Sequence, residues 1–182
     1  MTALSDLNGT FAIDPAHSAI SFVARHAMIT KVRGSFTEFE GTAQGNGADA
    51  ADAKVELTIQ AGSVNTRNEG RDGHLVSADF FDVENYPTIT FSSTSVKVLG
   101  DDSLELTGDL TIKDVTKPIT IGFEFTGAAT DPFGNERVGF EGSVVVNRKD
   151  YGLTWNAALE AGGVLVSEKV TLEFEISAIK QA

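Results

Sequence analysis

Leu104-Glu105-Leu106-Thr107-Gly108-Asp109-Leu110-Thr111-Ile112-Lys113 decides the fold class of this chain. Leu104, Leu106, Leu110 and Ile112 share one parity, and Glu105, Thr107, Asp109 and Lys113 take the other. Successive side chains of a strand point to opposite faces, so the stretch reads as a strand with one dry and one wet face. A wet face argues for antiparallel pairing and against a parallel sheet covered by helices on both sides.

The same period recurs on both sides of it. Ala53, Val55, Leu57 and Ile59 alternate with polar neighbours, as do Ile119, Ile121, Phe123 and Phe125, then Val138, Phe140, Val144 and Val146, then Val170, Leu172, Phe174 and Ile176. Less regular strands are expected near His17–Ala24, Lys31–Gly41 and Pro87–Val98, which brings the count to about eight. In the last, Ile89 and Phe91 disagree in parity with Val96 and Val98, and a β-bulge near Ser93–Ser95 reconciles them. Gly100-Asp101-Asp102 and Asp131-Pro132-Phe133-Gly134-Asn135 are turn sequences, and Thr42–Asp52, rich in Ala, Gly and Asp, reads as a surface loop. Two segments break the pattern. Asn65–Ser77 suits a short helix capped at Asn65 or Thr66, weakened by Gly70 and Gly73. Arg148–Gly163 is aromatic and glycine-rich, and is neither a clean strand nor a clean helix.

Length and composition narrow the function. At 182 residues, with no repeat or linker, the chain is expected to be one domain, 1–182, with its core at about 11–179. Twenty-six acids against fourteen bases give a net charge of −12, which argues against nucleic acid as a partner. The absence of cysteine removes disulfides and thiolate chemistry. No stretch approaches the ~20 apolar residues that span a bilayer, so no stable membrane insertion is expected. The N-terminus lacks the basic and apolar regions of a signal peptide, which sets the expectation of a cytoplasmic protein. Asn8-Gly9-Thr10 matches a glycosylation sequon and is read as chance.

Eight strands with one apolar face make either a two-sheet sandwich or a closed barrel, and closure removes exposed edges. A barrel of about eight strands is filled by its own side chains or holds one small ligand. Phe22, Phe36, Phe91, Phe123, Phe125, Phe140 and Phe174 all fall on the inward parity. Periodicity alone favours a filled core for them over a cavity.

From Phe11 to about Ile179 the chain resembles the YceI-like family, the lipocalin-like polyisoprenoid-binding barrels of bacteria. The resemblance rests on Ile13-Asp14-Pro15-Ala16-His17-Ser18, on Arg25-His26-Ala27-Met28, and on Lys31-Val32-Arg33-Gly34-Ser35-Phe36. It continues through Asn68-Glu69-Gly70-Arg71-Asp72-Gly73-His74-Leu75, Ser77-Ala78-Asp79-Phe80-Phe81-Asp82-Val83 and Gly108–Pro118. Its last block is Asn147-Arg148 with Tyr151–Gly163. The resemblance implies an all-β fold, an extended eight-stranded antiparallel lipocalin-like β-barrel with a short helix covering part of it. It implies a binding or carrier protein whose lumen takes a polyisoprenoid, an isoprenoid quinone or another fatty amphiphile, with no cofactor and no catalysis. Members are often dimeric, so a homodimer is admitted among the partners.

The expected lumen residues are Phe22, Phe36, Leu57, Phe91, Phe123, Phe140 and Phe174 from the strands. Leu75, Phe80 and Phe81 join them from the helical segment, and Leu153, Trp155 and Val164 from the irregular one. His17, His26, Arg33, His74 and Arg148 are expected at a polar mouth. Arginine grips phosphate or carboxylate bidentately, although salt bridges pinning the helix are the plainer reading. The alternative function is a metal-dependent enzyme built on His17, His26 and His74. No two of them have the spacing of an H-E-x-x-H motif, and no G-x-S-x-G elbow is present. Gly45-Asn46-Gly47 opens like a dinucleotide loop but lacks the third glycine and the strand–helix context. A third reading is a filled barrel presenting its outer surface to a protein partner.

Overall fold

The computed structural model describes residues 2–46, 49, 52–160 and 162–182. Alternation becomes a continuous antiparallel sheet of β1 (Asn8–Ile13), β2 (Ala19–His26), β3 (Thr30–Phe36), β4 (Phe39–Asn46), β5 (Lys54–Gln60), β6 (Val64–Asn65), β7 (Thr88–Val98), β8 (Ser103–Ile112), β9 (Val115–Thr130), β10 (Glu136–Asn147) and β11 (Lys169–Lys180). The helix α1 (Glu69–Val76) lies between β6 and β7. Pairing runs β1-β4-β5-β7-β8-β9-β10-β11, and β11 returns to β1, closing an eight-stranded barrel. No helix among the described residues is long and apolar enough to cross a membrane.

The wall has eight ribs, two of them broken. β11 pairs with β2 through Glu175↔Ala19 and with β1 through Ile179↔Ala12, so β1 and β2 form one rib interrupted by a turn at Pro15–His17. β3 and β4 form the next, interrupted at Thr37 and Glu38. This corrects two expectations and adds a strand to those expected. Asn8–Ile13 is a strand, Lys31–Gly41 is two strands, and Thr42–Asn46 belongs to β4 instead of a loop. Those small polar residues have low strand propensity, and pairing with both β1 and β5 overrides it. Of the rest of that expected loop, residues 47, 48, 50 and 51 lie outside the described residues.

Two bulges keep the inner face apolar. The β7–β8 register shifts between Ser93 and Ser95, as the parity conflict requires, so Phe91 and Val96 both face inward. A second shift, where Gly139 pairs with Gly127 and Phe140 with Phe125, leaves Thr126 of β9 as the extra residue, while Val138 and Phe140 share the inner face by the ordinary period of β10. Across the wall, phenylalanines lean over glycines of the neighbouring strand. Phe22 is registered opposite Gly34 and Phe123 opposite Gly142. In each case the ring occupies the space where the glycine's Cβ would stand, and Phe91 does the same over Gly108.

One end is closed by a small cluster of Leu4, Phe11, Phe125, Val138 and Ala178, under the turn Leu4–Asp6. On the outside, Arg137 clamps the broken first rib to β10. Its Nη1 donates to Asp14 Oδ2 at 2.7 Å and its Nε donates to Asp131 Oδ2 at 2.7 Å, in the β9–β10 turn. The Arg137 hydrogen bond, then that of His17, holds the Asp14 carboxyl below its usual range. Asn135 first and Arg137 second do the same for Asp131.

Two outcomes follow from the wall. A methyl at Gly108 would stand 2.5 Å from Phe91 Cζ and 2.5 Å from the Ser92 carbonyl oxygen, which cannot retreat. Gly108→Ala is therefore expected to cost about 1–3 kcal/mol, read as a lower urea midpoint with an unchanged slope. The two depressed carboxylates add stability above the ordinary carboxylate pKa, and this contribution fades as pH falls through their lower folded values. Arg137→Gln is expected to destabilise at pH 7, with the gap to the parent narrowing below about pH 4 in urea titrations. A gap independent of pH would contradict the clamp.

Candidate functional site: an apolar lumen

The inward parities of all eight ribs meet around a cavity of about 330 Å³. Its walls are Leu, Ile, Val and Phe side chains, among them Leu57, Phe91, Leu110, Ile121, Phe123 and Phe174. Arg148 is the one charged side chain among the described lining residues. Leu7, Gly45, Asn46 and Ala53 form part of the rim at the β4–β5 end.

The opposite end is covered by α1 and the segment after it. Asn68 caps the helix, its Oδ1 accepting from Arg71 N at 2.9 Å, in place of the expected Asn65 or Thr66. Thr66 has another task. Its N and Oγ1 donate to Asp72 Oδ1, while Arg71 donates to its Oγ1 and carbonyl, which pins the glycine-weakened helix to β6. With no buried residue of its own beyond half-buried Leu75 and Val76, α1 holds its place through these contacts. Behind it Phe80, Phe81 and Leu75 reach the lumen, and Phe81 meets Phe36 edge-on at 5.8 Å.

Arg148 organises the irregular segment. Its guanidinium donates to the carbonyls of Ser167, Leu153, Trp155 and Val166, and it lies 6.0 Å from the Phe80 ring. Burial pulls its pKa below the usual guanidinium value, with Glu168 opposing. Asn156 adds a second tie, its amide bridging to the N and O of Val166. A chain that forms no ladder thus satisfies its carbonyls on one side chain.

Phe22, Phe36, Leu57, Leu75, Phe80, Phe81, Phe91, Phe123, Phe140, Leu153 and Phe174 all lie on the lumen wall. Trp155 does not. It packs behind the wall, edge-on to His74 at 4.6 Å and 5.5 Å from Phe80. Val164 is also displaced, half-exposed and bridged to Ala158 outside the cavity. Phe125, on the expected parity, belongs to the closing cluster at the far end.

The five polar residues do not converge on one mouth. His17 lies outside the wall, its Nδ1 2.7 Å from Asp14, and Arg33 lies on the outer face, 3.5 Å from Glu173. His26 is in the β2–β3 hairpin and bridges to Val166. His74 Nε2 is 2.8 Å from Asp79, on α1. Arg148 is at the lumen, with its donors committed to carbonyls instead of a head group. The three histidines therefore sit on separate elements with separate partners, and no group of His, Cys, Asp and Glu among the described residues is placed to hold a metal ion. Sequence reading missed Phe11, Ile13 and Ile20 on the lining, although the parity of Asn8–Ile13 carried the first two.

The model of the YceI-like domain family matches residues 11–178. A UPF0312 protein of Staphylococcus aureus strain MSSA476 is 40% identical over 169 residues, 92% of this chain and 95% of that protein. Among solved structures, the YceI protein of Campylobacter jejuni superimposes with a TM-score of 0.75 at 30% identity, over 87% of this chain and 90% of that one. A polyisoprenoid-binding domain from Saccharophagus degradans, implicated in plant cell wall breakdown, gives 0.72 at 16% identity over 94% and 98%, a likeness of fold.

Removing the guanidinium leaves four carbonyls to find other partners. Arg148→Met is expected to cost more than about 3 kcal/mol and to open residues 152–160 and 162–168 to limited proteolysis. Arg148→Lys should not rescue it, because an ammonium cannot fork to four acceptors. Parent-like protease resistance in Arg148→Met would contradict this role.

Proposed function

The chain belongs to the YceI-like domain family, and from that premise we propose that its lumen carries a long apolar molecule: a polyisoprenoid, an isoprenoid quinone or a similar amphiphile. The observation that supports this most is a lining dominated by aliphatic and aromatic side chains around about 330 Å³, in which Arg148, the one charged group among the described lining residues, has its donors committed to the wall. Such a cavity offers a guest mainly apolar contact. Contact is enough: at ~0.8 kcal/mol per buried CH₂, some fifteen carbons contribute about 12 kcal/mol before ordering costs. The likeness to the polyisoprenoid-binding domain of Saccharophagus degradans adds support for an isoprenoid class of guest. The whole barrel is the binding unit, one domain over 1–182. The metal-dependent enzyme reading has less support, since His17, His26 and His74 stand apart on the turn after β1, the β2–β3 hairpin and α1.

Organic extraction of protein purified from its native host, followed by mass spectrometry, is expected to show one apolar species near stoichiometric amount. In titrations with a fluorescent prenyl alcohol, Leu57→Trp should fill part of the lumen and weaken binding at least about tenfold, while Leu57→Ala keeps binding within about fivefold. An empty lumen that also rejects prenyl chains and fatty amphiphiles would overturn the proposal.

A further inference from the structure

Between Asp14 and Glu38 the sequence has no carboxylate, in a chain whose net charge is −12. That interval is the β2–β3 hairpin, and it carries Arg25, His26, Lys31 and Arg33. At its tip Met28 is 63% exposed and Ile29 78% exposed, with Val164 of the neighbouring loop at 36%. The backbone does not require this. Ala27 and Met28 take φ of 51° and 62°, the left-handed pair at the centre of the turn closed by Ile29 N donating to the His26 carbonyl, a conformation that favours Asn and Gly. The shorter β8–β9 turn also places two residues at left-handed φ and builds the pair from Lys113 and Asp114, both polar. The β2–β3 tip instead holds two large apolar side chains in water.

The tip is latched to the lumen wall. Ala27 N donates to the Leu165 carbonyl at 2.7 Å, Arg25 N donates to Ser167 Oγ at 2.9 Å, and Met28 lies against Gly163. Val166, between these contacts, lines the cavity. Arg25 hydrogen-bonds the Ile29 carbonyl, and neither it nor Lys31 makes an ion pair among the described residues. Arg33 is engaged by Glu173, and Glu168 by Lys149, which leaves Glu160 as the opposing carboxylate on the adjacent loop. The far end of the barrel also exposes apolar groups, Phe133 at 89% and Leu99 at 53%, but among Asp101, Asp102, Asp131 and Glu136.

We propose that the β2–β3 tip docks on an anionic lipid surface: Met28, Ile29 and Val164 enter the interface, Arg25 and Lys31 meet headgroup phosphates, and the α1 end of the lumen is brought to the bilayer. The purpose of docking, exchange of a lipid guest, rests on the carrier reading, but the docking itself does not. The overall negative charge does not forbid it, because the Debye length at physiological ionic strength is about 8 Å and the acids of the far end lie beyond it. A few apolar side chains and two cations make a reversible contact.

Flotation of the full chain with phosphatidylcholine vesicles, with and without 30 mol% phosphatidylglycerol, tests the proposal whatever the lumen contains. Binding is expected to the anionic vesicles, weakening with added NaCl. Met28→Ser with Ile29→Ser should weaken it at least about tenfold, and Lys31→Glu about fivefold or more, from ~1 kcal/mol per cation near such a surface. Phe133→Ser, at the far end, should leave it unchanged and serves as the folded control. The proposal is overturned if anionic vesicles do not bind the chain, or if the tip variants bind as the parent does while folded by circular dichroism. It is equally overturned if the tip proves to be a contact between two copies, read as dimers in solution that the double serine variant dissociates without any effect on flotation. An empty lumen with intact flotation would instead remove the carrier reading and leave docking standing.

Discussion

Closing an antiparallel sheet points one parity of every rib at a common axis, and at eight ribs the interior is small enough for side chains to fill it. Whether this barrel has a lumen therefore depends on how its inward phenylalanines lie. Phe22, Phe91 and Phe123 lean across Gly34, Gly108 and Gly142, so their rings cover the wall instead of projecting to the axis. Each ring keeps its apolar contact while the glycine side of the sheet, which would otherwise be bare backbone, is shielded. The remaining space is bounded by aliphatic groups such as Ile121 and Leu110, and by Phe174, which leans on Phe123 at 5.9 Å. A cavity in a Phe-rich interior is thus a consequence of where the glycines are.

The α1 end depends on a different interaction. Residues 152–160 and 162–168 cannot join the ladder, and a covered segment with unpaired carbonyls is costly. Arg148 answers this from inside the wall, and in doing so it spends the donors that a polar ligand would need. The same segment receives the β2–β3 hairpin through Leu165 and Ser167. Helix, irregular segment and hairpin are consequently one connected surface around the lumen's end, and a displacement of one is felt by the others.

Much of this was legible before any coordinates. The alternation in β5, β8, β9, β10 and β11 specifies an all-β antiparallel sheet, and the parity conflict in Thr88–Val98 locates a bulge that the register bears out. Less was legible where pairing overrides composition: Asn8–Ile13 is too short to stand out, and Thr42–Asn46 is too poor in strand formers. The inward phenylalanines could be named from parity, but their tilt could not, because it depends on glycines of another strand. Trp155 and Val164 lie in a segment without a period, so no sequence rule gives their direction. The histidines failed as a cluster for a related reason: convergence is a property of tertiary geometry, and each ring had found a nearby partner or strand instead.

An apolar wall also sets what the lumen can discriminate. With no uncommitted charge along the described lining, guests that share a tail and differ in head group would meet the same wall contacts, and discrimination between them would fall to the ends of the barrel. Length is read more directly, since each methylene gained or lost is worth ~0.8 kcal/mol, about fourfold in affinity, until the tail outgrows the cavity. The two ends differ in kind. One is a cluster of Leu4, Phe11, Phe125, Val138 and Ala178 beneath an acidic rim, and the other is a helix, a cationic hairpin and a loop tied to a single arginine. The two ends therefore offer opposite surroundings to whatever lies between them, acids above a dry cluster at the first and cations beside a helix at the second.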